Sequence, residues 1–149
     1  MTRTRPDRLR IVLMAALVLS LPTAGEAQIN RDPGFIRQQL EQGVALQKKA
    51  LTGLSDTGEA LRLTWDAYVQ IRAAHGNIEA QLRSSKFPNP MWELASTKIQ
   101  TAREHLLQAR DALKTPNRYA GTSTTPEAEA ATHLQQSVHI LQLVLVTAF

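Results

Sequence analysis

Cysteine is absent from the 149-residue chain. That excludes disulfides, thiol catalysis, covalently attached c-type haem, iron–sulfur clusters, thiolate zinc sites and a lipid-modified N-terminal cysteine. Aromatic residues make up only 5% of the chain, and two of its three methionines, Met1 and Met14, precede residue 28, which leaves Met91. No Glu-x-x-His pair is present, so a ferritin-like di-iron carboxylate site lacks its usual ligands. His-Glu-x-x-His, Gly-x-Ser-x-Gly and a phosphate-cradling glycine loop are missing as well. The serines have no recognisable base partner. These gaps argue against an enzyme.

Long hydrophobic runs are also scarce. Ile11 to Leu21 is one, 11 residues broken by Ser20, whereas a membrane-spanning helix needs about 20. Arg3, Arg5, Arg8 and Arg10 precede the run, and Pro22 with Thr23-Ala24-Gly25-Glu26-Ala27 follows it. A basic start, a short apolar stretch and small residues at Gly25 and Ala27 predict a secretory signal peptide over 1–27, with Gln28 as the new N-terminus. The arginines do not form an adjacent pair, so the expected route is the general secretory one and the expected location the bacterial periplasm or exterior. No stable membrane span is expected after cleavage. The formal charge of +4 falls to +2 once 1–27 is set aside. Nucleic-acid binding, which needs a concentrated basic face, loses its main support.

Hydrophobic residues at 43% and charged residues at 20% are a globular composition. Residues 28–149 predict one domain of four helices, at about 33–53, 57–85, 90–114 and 126–147. Asp32-Pro33, Asn89-Pro90 and Thr125-Pro126 each pair a capping side chain with proline at the first helical position. Asp56 with Glu59 has capping-box spacing. The first helix places Ile36, Leu40, Val44, Leu51 and Leu54 on one face. The second carries a stripe of Leu61, Trp65, Tyr68, Ile71, His75, Ile78 and Leu82, and Gly76 within it predicts a close helix approach or a bend. The third repeats the spacing with Trp92, Ala95, Ile99, Ala102, Leu106, Ala109 and Leu113. The fourth shows Ala131, Leu134, Val138, Leu141 and Leu145. Matched stripes and proline-type starts predict an all-α, antiparallel up-down four-helix bundle. The alternation from Leu141 to Phe149 looks like the closing strand of an outer-membrane barrel, but one such segment cannot build a closed barrel.

Chemistry-bearing residues are few. His75 lies on the apolar stripe, where a histidine either bonds to a neighbouring helix or to Glu79, or serves as an inward ligand. The latter option makes a non-covalent haem or metal carrier, with His105 or Met91 as partner. Glu129 and His133, four apart, form either a solvated pair or a weak metal site. The last turns of helix four are apolar on several sides, which marks a helix that is deeply buried or pressed against a partner. Val138, Ile140, Leu143, Val146 and Phe149 are therefore the expected interaction surface, for a protein partner or a second copy. The functional expectation is an exported binding or adaptor module without catalysis.

Overall fold

Short oxygen-bearing side chains open every helix. In a computed structural model, which describes residues 32–149, Asp32 accepts a hydrogen bond from the Phe35 backbone N–H at 3.0 Å and starts α1, Pro33–Thr52. Asp56 accepts from Glu59 N–H at 3.1 Å to open α2, Thr57–Ser84. Asn89 accepts from Met91 N–H at 2.9 Å and opens α3, Pro90–Lys114. Thr125 accepts from Ala128 N–H at 3.1 Å at the start of α4, Pro126–Ala148. Each bond satisfies a backbone donor that the first turn cannot. A 3₁₀ turn, Pro116–Tyr119, lies between α3 and α4. The expected signal peptide, 1–27, lies outside the described residues.

The protein is an all-α four-helix bundle, with no strand among the described residues. Each helix packs on its neighbours in sequence, and α4 returns to α1, closing the ring. The α1–α2 and α3–α4 contacts are the most extensive and α1–α4 the thinnest. Successive antiparallel helices gather the start of α1, the end of α2, the start of α3 and the end of α4 at one end of the bundle. We call this the Phe87 end, and the opposite one the Tyr119 end.

The core is rich in alanine. Ile36, Leu40, Leu63, Ile71, Ile78, Ile99, Leu106, Leu134 and Leu141 alternate with Ala50, Ala60, Ala67, Ala74, Ala102, Ala109 and Ala130, all essentially inaccessible to solvent. On α3 the expected stripe is the observed one, with Ser96 and Ala112 added. On α2 Ile71 and Ile78 are buried as expected, but the centre of the stripe is shifted to one side. Trp65 is 40% exposed and Tyr68 only half-buried, while Ala60, Leu63, Thr64, Ala67 and Ala74 face inward. Small side chains at the centre let the helices approach closely, and the large rings cover the edge of the seam. Of the close approach or bend expected at Gly76, the close approach is found at Gly43 instead, where an added Cβ would lie 2.5 Å from Ile71 Cγ1. Gly76 is exposed, with nothing within 4 Å of such an atom.

Candidate functional site

Three regions carry polar chemistry or exposed apolar surface. The first is the seam between α2 and α3. His75, with 13% of its side chain exposed, bridges the helices. Its Nδ1 lies 2.8 Å from Arg103 Nη1 and its Nε2 lies 2.9 Å from Ser96 Oγ. A guanidinium can only donate, so Nδ1 accepts and the ring proton sits on Nε2, which donates to Ser96. Ser96 in turn donates to Glu79. Arg103 is held by Gln100 Oε1 at 2.9 Å and by Tyr68 Oη at 3.2 Å. Burial first, and the Arg103 charge second, push the His75 pKa below its ordinary 6.5, against an opposing pull from Glu79.

This Ser–His contact runs the wrong way for nucleophilic catalysis. A general base must accept the serine proton, whereas Nε2 of His75 already carries one. Ligation of a haem iron or a metal would likewise require His75 to give up Arg103 or Ser96. The three residues of the expected carrier site are held apart. His105 is two positions beyond Arg103 on α3, a rotation of about 200°, which turns it toward α4. Met91 sits in the first turn of α3 at the Phe87 end, exposed to solvent.

The second region is a groove of about 500 Å³ between α3, the 3₁₀ turn and α4. It is lined by Leu107, Gln108, Asp111, Arg118, Tyr119, Glu129 and His133. Arg118 pairs with Asp111 at 2.8 Å. His133 Nε2 lies 3.4 Å from Glu129 Oε1, and His133 Nδ1 lies 3.1 Å from His105 Nδ1. The ring centroids of the two histidines are 5.4 Å apart. With the nitrogens so much closer than the centroids, the rings meet edge to edge, nitrogen facing nitrogen, and a single proton serves both. Among the described residues no three His, Asp or Glu side chains converge on one point. The sequence marks Glu129 and His133 by their spacing, but the third member, His105, comes from another helix with no local signal to announce it. Asp111, Arg118 and Tyr119 meet there only because the 3₁₀ turn folds back along α3.

The third region is the Phe87 end. Phe87 is 83% exposed and Val146 84%, and Phe35, Met91, Leu94 and Leu143, which lie near the same helix ends, are exposed as well. Trp92 and Phe149 contact each other with centroids 5.8 Å apart. A groove of about 180 Å³ runs on one side of Trp92, past Pro33, Leu82 and Phe87. Another, of about 470 Å³, passes Arg37, Asn89 and Phe149. The five residues expected to form an interaction surface divide here. Leu143 and Val146 face solvent, Ile140 and Phe149 are half-buried against the core, and Val138, 8% exposed, belongs to the core itself. Steps of three over nearly two turns place 138, 141 and 144 inward, so the apolar character of α4 is largely that of a core helix with an exposed edge. Among the described residues no helix is long and apolar enough to cross a membrane.

Comparison with known proteins leaves these geometries to speak for themselves. No family model, no curated protein and no solved structure matches the chain.

Proposed function

We propose that the protein is a non-catalytic binding module of the bacterial cell envelope, exported by the 1–27 segment, which engages a protein partner through the Phe87 end of the bundle. The carrying observation is the clustering of exposed large apolar side chains. Phe35, Phe87, Met91, Leu94, Leu143 and Val146 lie at that end, while Trp65, Val69 and Leu107 are scattered elsewhere. Large apolar side chains left exposed at one end of a bundle, two of them aromatic, are the kind of surface a docking face uses. The direction of the His75–Ser96 hydrogen bond supports a role without catalysis.

The experiment is site-specific photocrosslinking in the native host, with the probe at position 87, 146 or 123. A discrete adduct at 87 and 146, absent at Ser123 in the opposite loop, supports the reading. Equal labelling at all three positions, or none, overturns it. Intact-mass measurement of the purified protein tests export independently, through a chain beginning at Gln28.

A further inference from the structure

The α3–α4 groove is separate from the apolar end and has a chemistry of its own. We propose that His133 and Glu129 form a site for a divalent transition-metal ion on the wall of this groove, with His105 as a positioning residue that holds His133 in the ligating tautomer. The His133 Nε2 to Glu129 Oε1 distance is 3.4 Å, long for an N–H···O hydrogen bond, which peaks near about 2.9 Å. It matches the bite of a metal, since two donors about 2.0–2.1 Å from a tetrahedral ion lie about 3.3–3.4 Å apart. The i,i+4 spacing on α4 brings both side chains to one side of the helix, within reach of a common ion.

The opposite nitrogen of His133 completes the argument. A histidine that ligates through Nε2 must carry its proton on Nδ1, and it is oriented by whatever accepts that proton. Here the acceptor is Nδ1 of His105, 3.1 Å away on the neighbouring helix. In the metal-bound state His105 holds its own proton on Nε2, so neither ring needs a net gain or loss of protons.

Charge in the groove is permissive. Asp111 and Glu129 against Arg118 leave one net negative charge, and Arg118 is tied to Asp111. Imidazole with one carboxylate selects Zn(II), Ni(II) or Cu(II) over Mg(II) or Ca(II), which prefer an all-oxygen shell. With two protein donors, the remaining coordination positions open into the groove and are filled by water or by an exogenous ligand. The site is therefore weak and exchangeable.

Calorimetric titration of the chelator-treated protein with Zn(II) tests the site. One equivalent should bind, His133→Ala should abolish binding, and Glu129→Gln should weaken it. His105→Phe, which removes the acceptor, should lower affinity about 10- to 100-fold, and His105→Gln, which restores an acceptor oxygen, should recover part of the loss. Long-range proton–nitrogen NMR should place the His133 proton on Nδ1 once the ion is bound. His139→Ala, an exposed histidine on another face of α4, is the control and should bind as the parent does. No binding by the parent, undiminished binding by His133→Ala, or loss in His139→Ala instead would overturn the proposal. Thermal melts of each variant separate loss of the site from loss of the fold.

Discussion

Gly43 and Gly76 occupy interior helical positions with opposite surroundings. Replacing Gly43 by alanine drives a Cβ into Ile71, 2.5 Å from Cγ1 and 2.9 Å from Cδ1, so that fully buried side chain must shift. Overpacking of this kind costs about 1–3 kcal/mol, of which better helix propensity returns at most about 1 kcal/mol. Gly43→Ala should therefore lower the melting temperature. Combined with Ile71→Ala, the pair should cost less than the two single changes together, a coupling that a double-mutant cycle reads directly. Gly76→Ala meets nothing and should stabilise by about 0.5–1 kcal/mol. The sequence pattern marks Gly76 for a close approach because it stands in a stripe of large residues. Burial follows the alanines instead, and that is decided by how near the helices come.

His75 is a second residue whose environment makes a measurable claim. Its pKa is pushed down from 6.5 by burial and by Arg103, so the unfolded chain takes up a proton at a higher pH than the folded one. As pH falls below about 6.5, unfolding gains protons that the native state refuses, and stability declines until the folded-state pKa is passed. Above 6.5 the contribution is fully present. Denaturant melts between pH 7.5 and 5 (roughly the window in which histidine titrates) should show this decline, and His75→Gln should flatten it. A slope unchanged in the variant would assign the effect to other groups.

At the level of the helix, starts are legible and faces less so. Asp32-Pro33, Asn89-Pro90 and Thr125-Pro126 announce their helices through local chemistry, and each capping oxygen accepts a first-turn N–H. Which side of α2 turns inward depends on partners distant in sequence, so Trp65 and Tyr68 fall at the seam edge although they keep the apolar spacing. The same holds for α4, whose apolar residues divide between core and surface. Ending the chain after Gln136 removes Ser137, Val138, Leu141 and Val144 from the interior, and the product should show no cooperative melt. By contrast, Leu143→Ser with Val146→Ser should leave the melt within about 0.5 kcal/mol of the parent, as exposed positions generally do. These two variants separate the supporting side of α4 from its outer edge. The candidate metal site shows the same division, since Glu129 and His133 share a helix and can be read from spacing, whereas His105 requires knowing which helices adjoin.

For the molecule as a whole, bundle topology follows from four amphipathic segments and short connections, and it sorts the exposed side chains. Apolar groups gather at the Phe87 end, and the polar groove lies toward the other. It also makes the molecule a pair of hairpins. The α1–α2 and α3–α4 contacts are extensive, the α1–α4 seam is thin, and the hairpins are joined through Ser85-Lys86-Phe87-Pro88-Asn89. If that linker straightens, α1–α2 of one molecule can settle on α3–α4 of another and recover the contacts between the hairpins while leaving each hairpin whole. Concentrated protein should then trap a slowly interconverting intertwined dimer with an unchanged circular dichroism spectrum. Shortening the 85–89 linker would drive the exchange, because a chain that cannot turn back on itself has to find its missing half elsewhere.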